Sequence, residues 1–204
     1  MTRLRDPADR RSRQRSAQPA RSALQAETTS IHEALHDAPP FAAIAEQRLR
    51  SSDYTRLLSA LFAYHSSLQF IVAAGCRRLE LQALLNACEL RRHRLAVDLA
   101  TLNAQLPPVG KSVAAVDDAW AVGCLYTLVG SSLGGKVIFR QLDYLLPTPA
   151  GRTFFAGTAG DGERWREFCN RLEAFGTEQQ SLTPLIEGAH FAFEHFASCL
   201  ERHR

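Results

Sequence analysis

The run Trp120–Arg140, WAVGCLYTLVGSSLGGKVIFR, is apolar enough to lie inside a protein and carries glycines at 123, 130, 134 and 135. Glycine inside a helix costs roughly 1 kcal/mol relative to alanine. A helix holding four of them implies either a kink or a place where something approaches the backbone closely. Gly130 and Gly134 are four residues apart, so they share one helical face with Thr127, Ser131 and Ile138. Such a face suits close packing against another helix, and it equally suits a flat ligand. The pattern leaves both open. It is not a phosphate loop, because the GK[ST] ending is missing and no strand precedes it.

The remainder of the chain also reads as helix. Leu24, Ile31 and Leu35 recur at spacings of seven and four, and Pro39-Pro40 ends that segment. Phe41–Arg50 makes a short second helix, and Ser52 or Asp53 caps a long third one running from Tyr54 to about Gly75. From about Glu80 to Gln105, Leu81, Leu84, Leu85, Leu95, Leu99 and Leu102 form one stripe opposite a charged face. Leu106–Gly110 is a loop, and Asp117 or Asp118 caps the glycine helix, which runs to about Leu145. Glu163–Gln180 and Pro184–Glu201 follow. No alternating β-branched run competes. The expected fold class is all-α, a single domain of about seven helices.

Charge and cysteine content exclude several function classes. Residues 1–21 hold seven arginines against two aspartates, a local +5, whereas the whole chain carries +3 and the remainder therefore −2. The folded part, residues 22–204, is not a basic nucleic-acid surface, and residues 1–21 have too little apolar content to order themselves. Five cysteines with no CxxC spacing argue against a disulfide scaffold and for a reducing cytoplasm. Leu57–Cys76 lacks Asp, Glu, Lys and Arg and is long enough to span a bilayer, but Ser59, His65, Ser66, Ser67 and Gln69 mark it as a buried helix.

Among seven histidines, His32 and His36 lie one turn apart on the first helix, beside Gln25, Thr28 and Thr29. Neutral imidazole is a common ligand for transition metals and haem iron. Glu33–His36 and Glu187–His190 also match the Glu-x-x-His spacing of di-iron carboxylate bundles, which keeps a non-haem di-iron oxidase in view.

Thr29-Ser30-Ile31-His32-Glu33-Ala34-Leu35-His36, then Pro40-Phe41, then Gly130-Ser131-Ser132-Leu133-Gly134-Gly135 together resemble the haem oxygenase family. The glycine segment looks most like the bacterial members that supply biliverdin to bacteriophytochromes. Phe154-Phe155 followed by Arg164-Trp165-Arg166-Glu167-Phe168 fits the same group, and the likeness extends from Leu24 to about Leu200. It implies haem sandwiched between a proximal helix and a kinked, glycine-rich distal helix. His32 matches the proximal iron ligand, with Thr29 beside it and His36 one turn on. Gly130, Ser131 and Gly134 match the distal catalytic segment, and Gly135 extends the contact with the cofactor.

The implied reaction cleaves haem, at once cofactor and substrate, to biliverdin, carbon monoxide and ferrous iron. It uses O2 and an external electron donor, a ferredoxin- or flavin-type reductase, with a bacteriophytochrome as a potential biliverdin acceptor. The propionates need cations; Arg21, Arg164, Arg166 and Arg171 are candidates, and Arg171 is the first choice. Two departures bear on proton delivery. Ser131 stands where animal-type members carry aspartate, and Val129 stands where bacterial relatives often carry an acid. A non-catalytic haem carrier or sensor on the same fold is the reading these departures keep open.

Overall fold

A computed structural model describes residues 19–108 and 112–203. Among these residues it is all-helical, with nine α-helices in order: α1 Ala20–His36, α2 Pro39–Ala45, α3 Ser51–Ser67, α4 Gln69–Arg78, α5 Gln82–Thr101, α6 Asp118–Gln141, α7 Thr153–Ala156, α8 Asp161–Glu178 and α9 Thr183–Arg202. The all-α expectation holds. Two differences raise the helix count: the expected third helix is split, and α7 is additional.

The split falls at Leu68, where α3 and α4 meet at 51°. Ser67 explains it. Its hydroxyl donates to the Tyr64 carbonyl at 2.9 Å, and its carbonyl accepts from the Val113 amide at 3.1 Å rather than from the next turn. The charge-free stretch Leu57–Cys76 is thereby folded into a bent pair with mostly buried side chains. Asp118–Tyr144 is long and apolar enough to cross a membrane by composition, but half of its most apolar stretch is buried inside the fold.

Helix α6 starts at the expected cap, with the Asp117 carboxylate accepting from the Trp120 amide at 2.8 Å. It runs without interruption through all four glycines. Its first half lies backbone to backbone against α9. A methyl at Gly123 would overlap the Leu185 carbonyl oxygen, and one at Gly188 would overlap the Trp120 carbonyl oxygen. The Cys124 thiol donates to the Gly188 carbonyl at 3.1 Å, and the Thr127 hydroxyl to the Ala189 carbonyl at 3.3 Å. Phe168, Leu172 and Leu125 close the core around this contact.

Helix α1 starts at Ala20, inside the segment expected to be tail. The rest of that segment, residues 1–18, lies outside the described residues. The start is set by tertiary contact. The Glu173 carboxylate of α8 accepts from the Ala20 and Arg21 amides at 2.8 and 3.0 Å, satisfying donors that a helix N-terminus leaves free. Ala20 itself is buried, fitted so closely to Gly176 that a methyl there would come within 2.6 Å of it. Helix α7 depends on a similar long-range cap. The fully buried Asp98 accepts from the Thr153 amide, the Thr153 hydroxyl and the Phe154 amide at 2.8–2.9 Å.

The α6–α9 contact predicts that Gly188→Ala destabilises the fold by about 3 kcal/mol, at the upper end for overpacking a core; urea denaturation checks this. A second expectation concerns His65 on α3, whose imidazole is buried. Burial first, then Arg91 and Arg92, push its pKa from 6.5 down to about 3. The unfolded histidine takes up a proton below pH 6.5 that the native one refuses. Stability from this group is therefore present above pH 6.5 and is lost as pH falls towards 3. Going from pH 7 to pH 5 should cost about 2 kcal/mol, and His65→Gln should flatten that slope in urea unfolding.

Candidate functional site

A cavity of about 500 Å³ lies between α1 and the second half of α6. That size is within the usual range for ligand pockets. Helix α3 contributes Leu61, Tyr64 and His65, α8 contributes Trp165, and α9 contributes Phe193 and Phe196. The lining is predominantly apolar and aromatic.

The two readings of the glycine face divide at Thr127. Gly123 serves helix packing, as described above. Gly130 and Gly134 do not. A methyl at Gly130 would meet only the Trp165 ring, at an ordinary 3.7 Å, and one at Gly134 would meet nothing within 4 Å. Both line the cavity. The absence of side chains at these two positions is thus not explained by the protein's own packing. Gly135 belongs with Gly123: it is buried, and a methyl there would come within 3.1 Å of the Phe155 carbonyl oxygen of α7. Gly135, expected to contact the cofactor, is not among the residues that line the cavity.

Opposite the glycine face, α1 presents Thr29, His32 and His36 to the same cavity. The His32 and His36 rings meet edge to face at 4.6 Å, and Phe193 stands 6.0 Å from His32. Burial first, then His36, lower the His32 pKa, with Glu33 opposing. The shift favours the neutral ring, the form that binds metals. The hydroxyls of Thr28 and Thr29 donate to the Leu24 and Gln25 carbonyls, each at 2.7 Å. Ser131 lines the cavity from α6 and donates to the Leu128 carbonyl at 2.7 Å.

The candidate arginines lie in different places. Arg171 pairs with Glu80 at 3.5 Å on the outer surface and does not line the cavity. Arg164 is held by Asp161 at 2.7 Å. Arg21 does line the cavity, its guanidinium 5.9 Å from the Trp165 ring centre. The start of α1, set by Glu173, places the exposed Arg21 at the cavity's edge. The di-iron reading loses its support, because no three His, Cys, Asp or Glu side chains converge among the described residues.

Sequence reasoning passed over Tyr64, His65 and Phe193, all of which line the cavity. For Tyr64 and His65 the available signal was polar side chains inside an otherwise charge-free stretch.

A family model described as Heme oxygenase matches residues 18–202. A curated heme oxygenase of Xanthomonas campestris is 36% identical over 100 residues, covering 48% of this chain and 58% of that protein's length. The NO- and CO-bound heme oxygenase of Neisseria meningitidis superposes with a TM-score of 0.74 over 92% of each chain at 22% identity, a likeness of fold. With nearly its whole described length matched by the family model, the chain belongs to the haem oxygenase family.

Proposed function

We propose that this protein holds haem in the cavity between α1 and α6, with His32 as the iron ligand, and oxidatively cleaves it to biliverdin, carbon monoxide and ferrous iron. The observation that carries the reading is the pair Gly130 and Gly134. Both face His32's helix across an apolar cavity, and neither is required to be glycine by any protein neighbour. The residues present fit a flat, dianionic, iron-bearing ligand. A neutral imidazole stands on one wall and bare backbone on the other, aromatic rings lie between, and Arg21 lies where a carboxylate can pair with a guanidinium.

Haem supplies the redox chemistry as both cofactor and substrate, with O2 and electrons from an external donor. The chain orients it. Thr29, His32 and His36 form one wall, while Gly130, Ser131 and Gly134 allow close approach on the other. The Phe193 and Phe196 rings exclude water from the interior. A ferredoxin- or flavin-type reductase as donor, a bacteriophytochrome as acceptor and a cytoplasmic setting extend the same reading, supported by the resemblance of the segment Gly130–Gly135 and by five free cysteines.

Titration with ferric haem should give a saturable Soret spectrum, which His32→Ala changes to that of a weakly or differently ligated haem. An unchanged spectrum would remove His32 as the ligand. Incubation with ascorbate or a reductase under dioxygen should replace the Soret band by biliverdin absorption; a band that persists through repeated attempts would make the protein a carrier. Gly134→Ala should stabilise the haem-free fold by roughly 0.5–1 kcal/mol, because the new methyl meets nothing and alanine is the better helix former. Gly134→Leu, which fills the cavity, should abolish haem binding while leaving the haem-free protein folded by circular dichroism.

A further inference from the structure

The wall opposite the glycine face carries two imidazoles where haem iron needs one. His32 and His36 both line the cavity, both are exposed, and their ring centres stand 4.6 Å apart. They are the only two of the seven histidines spaced one helical turn apart. A metal–nitrogen bond of about 2.1 Å and a further ~1.1 Å to the ring centre put each imidazole centre about 3.2 Å from an ion. At octahedral or tetrahedral angles, two such rings on one ion stand about 4.5–5.2 Å apart. The observed separation falls in that interval. The edge-to-face rings need only rotate about χ2, a soft torsion, to aim one nitrogen each at a common point.

Charge is graded along α1. Arg21 stands at the N-terminal end, where the helix dipole and the guanidinium favour carboxylates. The C-terminal end carries Glu33 and Asp37, with His36 the last helical residue, and no lysine or arginine lies between Arg21 and Arg48. A helix C-terminus flanked by carboxylates favours a cation. The helical rise sets His36 about 6 Å beyond His32 towards that end.

We propose that His36 joins His32 in a two-imidazole site for a divalent metal ion, and that its ion is the ferrous iron freed when haem is cleaved. The inference rests on the haem reading above. While haem is intact, the tetrapyrrole holds its iron against His32 alone. After cleavage the iron exchanges tetrapyrrole nitrogens for His36 and water, ligands that suit Fe2+. Protons from solvent replace it on those nitrogens, and no electron moves. No third His, Cys, Asp or Glu joins the pair among the described residues, so water completes the site and the ion is held weakly enough to be passed on. Iron then leaves by the acidic end of α1, and biliverdin, with its carboxylates, by the Arg21 end.

Co2+, whose visible bands report imidazole coordination, stands in for Fe2+ in a titration of the full haem-free chain. One ion should bind per chain. His36→Ala and His32→Ala should each weaken it on the order of tenfold, about 1.4 kcal/mol for the lost ligand, and haem should expel it. Both side chains are exposed, so either alanine variant should keep native helicity by circular dichroism. Co2+ affinity unchanged in His36→Ala, or Co2+ retained in the haem-saturated chain, would overturn the inference and leave the haem reading intact. Failure of the wild-type chain to bind haem would overturn both. In a single turnover with a ferrous-iron chelator in solution, iron should appear after carbon monoxide, with a lag several-fold longer in His36→Ala. An equal lag would overturn the hand-over.

Discussion

The contact on which the rest of this structure depends is the backbone-to-backbone seating of α6 on α9. Gly123 and Gly188 each face a carbonyl of the opposite helix at a distance that admits no Cβ. Packed interiors tolerate little added volume, so this contact fixes both the separation and the register of the two helices. Register then propagates along α6. With Gly123 committed to α9, the rotation of the helix places Gly135 against α7 and turns Gly130 and Gly134 towards α1. One helix thus uses the same residue type for two purposes, core packing and an open wall.

The opposite wall is held by polar anchors that cross long stretches of sequence. Glu173 of α8 caps α1 across 152–153 residues and thereby sets the rotation that carries Arg21, Thr29 and His32 to the cavity. Asp98 of α5 caps α7, whose Phe155 carbonyl supports Gly135. The bend at Ser67 brings Tyr64 and His65 to the floor. Asp98 satisfies the buried Phe154 amide, which would otherwise be left unpaired at a cost of about 1–3 kcal/mol.

Much of this was legible from the residues. The helices follow from 3.6-residue periodicity and from Pro39, Pro40 and Asp117, which act on their immediate neighbours. His32 and His36 sharing a face, and Gly130 and Gly134 sharing another, are likewise local geometry. The break at Leu68 was not legible, because it arises from the Val113 amide bonding the Ser67 carbonyl, a partner remote in sequence. The choice between Arg21 and Arg171 was not legible either: both are arginines on helices, and only packing shows that one faces the cavity while the other reaches Glu80.

The sequence by itself determined that the chain is helical, where most of the helices lie, and that paired histidines share one helical face and paired glycines another. These are properties of local backbone preference and of spacing along one helix. The tertiary structure alone decided which glycines serve packing and which line the cavity. It also decided that Arg21 rather than Arg171 lines the cavity. The reason is physical: a glycine's purpose and a cation's partner are set by what stands opposite, and that is chosen by how helices distant in sequence come to rest against one another.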